Sequence, residues 1–154
     1  MKKQILIYAS ILAGTFGIQS CSSDDDASVD TQKPVIVLNE PTNEQVFHAG
    51  EEIHVDADFS DNVGLASYKI EIHSAGDGHT HDKNANAEGE WFYTDTNSIE
   101  GNPKNYTAHK NILVPHTVNG AEIAEGHYHL GIFSVDTSGN EQQLFIEIEI
   151  HHEH

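Results

Sequence analysis

Histidine is the residue type in this chain most suited to chemistry, because twelve of the 154 residues are histidine and they are clustered rather than scattered. Two pairs have the spacing His-x-His: His79 with His81, and His127 with His129. Neutral imidazole is a preferred nitrogen ligand of zinc, and it also suits copper(II) and nickel. On a β-strand, residues two apart project from the same face, so both rings of a pair could reach one ion. The spacing therefore predicts a transition-metal site.

The predicted ligands come from separate stretches of the sequence and include nitrogen and oxygen donors. We predict metal binding by His73, His79, His81, His127 and His129, with His151, Asp77 and Asp82 as additional candidates. The two aspartates could ligate the ion or orient a histidine ring through a hydrogen bond. Each histidine alone is more often a solvated strand residue than a ligand, so the prediction depends on the combination. Structural or ancillary roles are assigned to His48, His54, His109 and His116.

The elements that must position these histidines are predicted to be β-strands. From residue 34 to residue 151, apolar and polar residues alternate with a period of two in short segments, and no helical period is evident. The predicted strands cover residues 35–38, 53–59, 68–73, 91–94, 106–114, 126–136 and 144–150. This pattern predicts an all-β fold, a single immunoglobulin-like antiparallel β-sandwich of about seven strands. Tyr128, just before Leu130, fits the tyrosine corner of such a sandwich.

The predicted topology places most of the histidines at one end of the sandwich. Inward-facing residues of the sixth strand put His127 and His129 on its outer face. Antiparallel pairing of the third and sixth strands predicts that His73 lies beside His127 or His129. A hairpin turning at Gly139 predicts that His127 lies near His151. Directly opposed side chains have Cβ atoms about 4.5–5.5 Å apart, close enough to share one metal ion.

The first twenty residues resemble a lipoprotein signal peptide. Lys2 and Lys3 precede a mostly apolar segment, residues 5–18, which is shorter than the roughly 20 residues needed to span a bilayer. Ser20 precedes Cys21, the only cysteine of the chain, and in such signals this cysteine is lipidated and becomes the new N-terminus. An ordinary secretory signal with an incidental cysteine is the alternative.

We predict four parts of the chain: a signal peptide (residues 1–20), a lipidated cysteine with an acidic flexible tether (residues 21–33), the sandwich (residues 34–151) and a histidine-rich tail (residues 152–154). Removal of the signal peptide leaves five lysines against 25 acidic residues, a net charge of −20. Such a surface repels nucleic acid and attracts cations. The predicted partners are a divalent metal ion, the membrane through the lipid anchor, and an outer-membrane transporter that would receive the metal.

Zinc is the predicted metal, and copper(II) is the alternative. No methionine follows Met1, and the thiol of Cys21 is expected to carry the lipid, so soft ligands for copper(I) are missing. Oxygen donors are grouped near two predicted turns: Asp56, Asp58, Asp61 and Asp136. Such groups bind calcium in some sandwiches. Calcium is the less favoured prediction, because aspartate also stabilises tight turns with its own side chain.

Several segments together resemble one known family. They are the lipoprotein start, Pro34, residues 59–65 (Phe-Ser-Asp-Asn-Val-Gly-Leu), and residues 70–73 (Ile-Glu-Ile-His) followed by residues 79–81 (His-Thr-His). Over residues 34–150 this combination resembles a family of Bacteroidetes lipoproteins of unknown function, domain of unknown function 4625. Residues 22–26 resemble the acidic signal that sends lipoproteins of Bacteroidetes to the cell surface. The resemblance implies an outer-membrane lipoprotein that is exposed at the cell surface, or one that faces the periplasm.

The sequence is compatible with three classes of function. The favoured class is a membrane-anchored, histidine-rich lipoprotein for capture, uptake or buffering of zinc or copper(II). The alternative is a metal-independent adhesion module or an accessory module of an outer-membrane complex, with contact residues drawn from Trp91, Phe92, Tyr93 and Tyr106. An enzyme is not expected, because the sequence has no His-Glu-x-x-His motif, no Gly-x-Ser-x-Gly motif and no catalytic cysteine.

Overall fold

The described part of the protein is built from β-strands. A computed structural model describes residues 29–76 and 89–152, and ten strands lie within these ranges. They are β1 (Val35–Glu40), β2 (Gln45–His48), β3 (Glu52–Ser60), β4 (Leu65–Ser74), β5 (Phe92–Ser98), β6 (Asn105–Leu113), β7 (Thr117–Val118), β8 (Ala121–Glu122), β9 (Gly126–Asp136) and β10 (Glu141–His151). The predicted all-β fold is confirmed.

Two sheets enclose a single apolar core. A three-stranded sheet has the order β1-β3-β6, and a five-stranded sheet has the order β2-β10-β9-β4-β5. Neighbouring strands in both sheets are antiparallel except β2, which runs parallel to β10. Buried residues from both sheets form one cluster between them. The fold is therefore the immunoglobulin-like sandwich that the alternation predicted.

The structure contains more strands than the seven predicted. Strand β2 has four residues and follows Pro41 and Asn43, so it is too short for an alternation to be recognised in the sequence. Strands β7 and β8 have two residues each and are joined by Asn119 and Gly120, which have φ angles of 53° and 87°. These additions extend an edge or form a small ribbon, and they leave the predicted core strands in place.

Alternating burial explains why the histidines lie outside the core. On β3, Ile53, Val55 and Phe59 are at most 2% exposed. His54 and Asp58, which alternate with them, are exposed. Burial of such an apolar side chain contributes about 1.5–3 kcal/mol relative to its exposure. A one-residue shift in register would exchange the two faces, so burial of the apolar residues decides which face carries the imidazoles.

Tyr128 fixes the start of β9. Its side chain is 1% exposed, and its hydroxyl donates a hydrogen bond to the Ala124 carbonyl oxygen at 2.8 Å. The Trp91 ring packs beside it, with ring centroids 6.3 Å apart. The predicted tyrosine corner is confirmed. Because His127 and His129 flank Tyr128, this buried anchor also sets where their side chains leave the sheet.

The two ends of the sandwich carry different residues. The histidine end contains the end of β4, the start of β9, the end of β10 and the histidines of these strands. The tether end contains the turns at residues 61–64 and 137–140 and the segment before β1, residues 29–34. Asn140 Nδ2 donates a hydrogen bond to the Asp30 carbonyl oxygen at 3.1 Å. The segment before β1 is therefore held at the end opposite the histidines.

Candidate metal centres

His73 and His129 lie side by side on the outer face of the five-stranded sheet. They are partners in the antiparallel β4–β9 ladder, and their ring centroids are 5.3 Å apart with an interplanar angle of 56°. Their neighbours Ile72 and Leu130 are 0% exposed on the inner face, so the imidazoles must point outward. The prediction that His73 lies beside His127 or His129 is confirmed, with His129 as the partner.

The row of side chains that contains this pair crosses four strands. Phe92 of β5 is opposite His73 on one side, and Glu147 of β10 is opposite His129 on the other. Opposed side chains in such a ladder have Cβ atoms about 4.5–5.5 Å apart. Two imidazoles and a carboxylate therefore follow one another along the row, and zinc accepts this combination of donors.

The next histidines along the face are joined through glutamates. His127 Nδ1 lies 2.9 Å from Glu147 Oε1, and His151 Nε2 lies 3.2 Å from Glu149 Oε2. His127 is the ladder partner of Glu149, and its Nε2 lies 3.7 Å from Glu149 Oε1. The carboxylate of Glu149 therefore lies between His127 and His151, which were predicted to lie near each other. Carboxylates in this position orient imidazoles, as they do around metal-bound histidines.

Four predicted ligands lie outside the described residues: Asp77, His79, His81 and Asp82. The described residues on either side of them are at the histidine end. Ala75 N donates a hydrogen bond to the His127 carbonyl oxygen at 2.8 Å, and Ala124 N donates to the Gly89 carbonyl oxygen at 2.8 Å. The chain therefore leaves and rejoins the sandwich close to the start of β9, where His127 lies.

A second group of metal-binding side chains lies on the outer face of the three-stranded sheet. Donor atoms of His54, Asp56 and His109 all lie within 4.8 Å of one another. Asp56 and His109 are ladder partners with Oδ2 and Nδ1 3.1 Å apart, and the rings of His54 and His109 stack with centroids 6.3 Å apart. This group was not predicted from the sequence, because only the register between β3 and β6 brings His109 opposite Asp56.

The acidic residues predicted to bind calcium are divided between two places. Asp56 and Asp58 belong to the polar face of β3, whereas Asp61 and Asp136 lie at the tether end with Asp30. The predicted grouping is wrong for Asp56 and Asp58, because the alternation of β3 turns them onto the outer face of the sheet. The prediction also omitted Asp30, which belongs to a polar segment without any periodic signal.

Asp136 is charged although it is buried. It is 2% exposed, and its Oδ1 accepts hydrogen bonds from the backbone amides of Ser138 and Asn140, both at 2.8 Å. Its Oδ2 accepts a hydrogen bond from Asn140 Nδ2 at 2.7 Å. Burial alone raises the pKa of this carboxyl, but the side chain of Asn140 and the amides of the turn outweigh burial and hold the pKa below its usual value. A buried negative charge is therefore maintained at the tether end.

The aromatic residues proposed as adhesion contacts mostly belong to the core. Trp91 is 8% exposed, and Tyr93 and Tyr106 pack against the buried cluster. Phe92 differs, because it is 43% exposed and lies beside His73 on the outer face. Packing in the core therefore accounts for Trp91, Tyr93 and Tyr106.

The predicted lipidation site, Cys21, and the predicted signal peptide lie outside the described residues. Within residues 29–76 and 89–152, no helix has the length and apolar character needed to cross a membrane. The first described residues are at the tether end of the sandwich.

Comparison with known families identifies the chain. The model of one family, described as a domain of unknown function (DUF4625), matches residues 19–151. The chain belongs to this family. The region shared with DUF4625 begins two residues before Cys21 and ends with the last residue of β10, so it contains both candidate metal centres. A comparison with curated proteins found no match.

Solved structures share the fold at low sequence identity. The fibronectin(III)-like modules of CbhA from Clostridium thermocellum are 14% identical, with a TM-score of 0.43 over 75% of this chain and 94% of that chain. OgpA from Akkermansia muciniphila is 9% identical, with a TM-score of 0.50 over 78% of this chain. The DUF4625 chain spans 28% of OgpA and 16% of a beta-glucosidase from Listeria innocua, which is 10% identical with a TM-score of 0.40 over 77% of this chain. These similarities concern the fold alone.

Proposed function

We propose that this DUF4625 protein is a membrane-anchored lipoprotein that captures a transition-metal ion, with zinc preferred and copper(II) second, for uptake or buffering. The observation that carries the proposal is the His73–His129 pair. The two rings face each other across adjacent strands with centroids 5.3 Å apart. For tetrahedral zinc with Zn–N distances of about 2.0–2.1 Å, two histidine ligands of one ion have ring centroids roughly 5 Å apart. The sheet therefore holds the pair at a spacing that needs little rearrangement to ligate zinc.

Further ligands for this ion are available at the same end of the sandwich. Glu147 is next in the row, and its side chain also contacts His127. His79 and His81 belong to the segment whose described flanks lie beside His127. A site with two fixed histidines and two ligands recruited from this set has the four donors that zinc requires.

The surroundings of the pair support capture and release more than a structural role. His73 and His129 are partly exposed, and the apolar core beneath them is complete without an ion. The mature chain carries a net charge of −20, which raises the local concentration of cations. The histidine end is opposite the described part of the tether, so a lipid on Cys21 would leave the metal centre facing away from the membrane.

The His54–Asp56–His109 group supports the same class of function. It offers two imidazoles and one carboxylate on the other outer face, with His54 and His109 exposed to solvent. It has no neighbouring histidine-bearing segment comparable to residues 77–88 among the described residues. We therefore assign it as a weaker, secondary centre.

A metal-independent contact surface is the second candidate function, and one observation favours it. Phe145 is 47% exposed and packs edge-on against Phe133, with ring centroids 5.4 Å apart, on the outer face of the five-stranded sheet. Lys69 Nζ lies 3.9 Å from the centroid of the Phe133 ring. Exposed aromatic side chains beside a cation are suited to contacts with another macromolecule. Either role is one of binding, and we propose no catalytic step.

Metal add-back after chelation tests the proposal. The thermal unfolding midpoint of the mature chain is measured without metal and with zinc, copper(II), nickel or calcium. Zinc or copper(II) should raise the midpoint, because an ion that binds only the folded state stabilises it. The rise should be much smaller in the His73→Ala/His129→Ala variant, which keeps only the secondary centre, and it should persist in Phe145→Ala. An equal rise of the midpoint in the double variant and the wild type would contradict metal binding by His73 and His129.

A further inference from the structure

At the tether end, three carboxylates from distant parts of the chain meet. Asp30 precedes β1, Asp61 follows β3, and Asp136 ends β9. Donor oxygens of the three side chains lie within 4.8 Å of one another. Asp61 is 9% exposed and Asp136 is 2% exposed, so little water is available to screen these two charges, and Asp30 is partly exposed above them. This arrangement is independent of the histidine centres.

Two oxygens of this cluster have no hydrogen-bond partner. Asp61 Oδ1 accepts hydrogen bonds from the amides of Val63 and Gly64 at 2.8 and 2.7 Å, whereas Asp61 Oδ2 is buried and unpaired. Asp30 Oδ1 accepts a hydrogen bond from Asn62 Nδ2 at 3.0 Å, and Asp30 Oδ2 is also buried and unpaired. Buried polar groups in native proteins are almost always paired, and an unpaired charged oxygen is especially costly. The two unpaired oxygens, Asp30 Oδ2 and Asp61 Oδ2, therefore belong to carboxylates that each lie close to the other two carboxylates of the cluster.

No positive side chain compensates the cluster in the part of the chain that the structure describes. The ion pairs found within residues 29–76 and 89–152 involve other carboxylates, including Glu71, Asp95 and Glu149. Like charges at such short distances repel strongly where the effective dielectric constant is low. A bound cation removes both the repulsion and the unsatisfied oxygens.

We propose that Asp30, Asp61 and Asp136 bind a calcium ion, and that this ion fastens the tether to the sandwich. The donors are all oxygens, which selects a hard cation rather than zinc or copper. Calcium accepts 6–8 oxygens in irregular geometry, whereas magnesium demands near-ideal octahedral geometry and keeps most of its water. Three carboxylates offered by a turn, a strand end and the segment before β1 suit calcium.

The position of Asp30 gives the ion its role. Asp30 belongs to the tether, and the hydrogen bonds that hold it to the sandwich come from two asparagines, Asn62 and Asn140. A calcium ion shared with Asp61 and Asp136 adds a charged link at the same place. With calcium bound, the sandwich has a fixed orientation relative to the last residues of the tether, and without calcium this junction loosens.

Calcium binding to the full chain in detergent tests the proposal. After chelation, calcium should raise the thermal unfolding midpoint and slow amide hydrogen exchange in residues 29–34, and magnesium should do so far less. Asp30→Asn and Asp61→Asn should each weaken calcium binding at least tenfold. Glu141→Gln removes an exposed carboxylate near the same turn and should leave binding unchanged. Asp30→Asn lies outside the strands, so it remains informative even if Asp61→Asn fails to fold.

Three results would overturn the proposal: no response to calcium, an equal response to magnesium, or an unchanged calcium response in Asp30→Asn. The outcome is separable from that of the histidine centre. Asp30→Asn should keep the wild-type response to zinc, and His73→Ala/His129→Ala should keep the wild-type response to calcium. Without calcium, Asp30→Asn should unfold at the same temperature as the wild type or at a higher one, because the substitution removes a repulsive charge.

Discussion

His73 and His129 are direct partners across the β4–β9 ladder, and their ring centroids lie 5.3 Å apart. Both strands are paired on each side and buried on their inner face. The sheet therefore sets the backbone positions of the two histidines, and only rotation of the side chains is needed for both rings to reach one ion. Binding of one metal ion by both rings therefore costs little backbone conformational entropy, because the sheet already holds the two residues side by side.

Zinc binding should weaken in acid. Histidine ligates a metal only after it has lost its proton, so protons compete with zinc for each imidazole ligand as the pH falls. Because binding at a site with two histidine ligands displaces up to two protons, the zinc affinity should fall by up to roughly a hundredfold per pH unit. Competition with a zinc chelator dye at pH 5, 6, 7 and 8 measures this slope. An affinity that is constant over this range would point to carboxylate ligands such as Glu147 and Glu149.

The ion pair between Lys110 and Asp95 should stabilise the sandwich between mildly acidic and alkaline pH. Lys110 Nζ lies 2.7 Å from Asp95 Oδ2 and joins β6 of one sheet to β5 of the other. The hydrogen bond to Asp95 raises the pKa of Lys110 above 10.5, and the hydrogen bond from Lys110 lowers the pKa of Asp95 below 3.8. The contribution from Asp95 is present above pH 3.8 and is lost as the pH falls through the lower folded value. That from Lys110 is present below pH 10.5 and is lost as the pH rises through the higher folded value.

Urea unfolding of Lys110→Met checks this assignment. The variant should lose roughly 0.2–1 kcal/mol at pH 7, because both partners are about one-third exposed and the pair is partly screened. The difference from wild type should shrink at pH 2.5. Lys104→Met, at an exposed lysine near the start of β6, should be neutral at both values. A loss in Lys110→Met that does not change with pH would instead assign the effect to packing of the lysine stem.

Removal of the Tyr128 hydroxyl should destabilise the fold. In Tyr128→Phe, the Ala124 carbonyl oxygen loses the hydrogen bond of 2.8 Å in a partly buried environment, which costs about 0.5–1.5 kcal/mol. Chemical denaturation measures the change. Tyr93→Phe is the matched control, because its hydroxyl has no hydrogen-bond partner among the described residues, and it should be nearly neutral. Equal stability of the two variants would mean that the corner does not anchor β9.

Gly89 should be far less tolerant of a side chain than Gly120. Both have positive φ angles, 82° and 87°, which L-residues rarely adopt. A Cβ atom at Gly89 would collide with the Glu122 carbonyl oxygen, whereas one at Gly120 would meet nothing within 4 Å. We expect Gly120→Ala to cost about 1 kcal/mol and Gly89→Ala about 2 kcal/mol or more. Thermal unfolding of both variants checks the difference, and a similar loss in each would show that the β8 ribbon moves freely.

Most core strands could be predicted from the sequence because their apolar residues alternate with polar ones over several positions. The burial of Ile53, Val55 and Phe59 on β3 follows directly from that pattern. The sequence limits the partner of His73 to His127 or His129, but it does not decide between them, because the register of the two strands depends on their three-dimensional pairing. A bulge between Leu65 and Ser67 shifts the β4–β9 pairing by one residue. That irregularity has no signature in the alternation itself.

Other parts of the candidate sites depend on contacts that local patterns do not contain. His109 joins His54 and Asp56 only through the β3–β6 register. Asp30 joins Asp61 only because the segment before β1 folds back onto the β3–β4 turn. In both cases the residue types were visible in the sequence, but their proximity arises from pairing between segments that are far apart in the chain.

Titration of zinc into the chelator-treated mature protein, followed by isothermal calorimetry, tests the central claim most directly. Wild type is compared with His73→Ala/His129→Ala and with His54→Ala/His109→Ala, which removes the same number of imidazoles from the other sheet. We expect one tight site in the wild type, its retention in His54→Ala/His109→Ala, and at least a hundredfold loss of affinity in His73→Ala/His129→Ala. A wild-type isotherm from His73→Ala/His129→Ala would contradict the assignment of the metal centre to this pair.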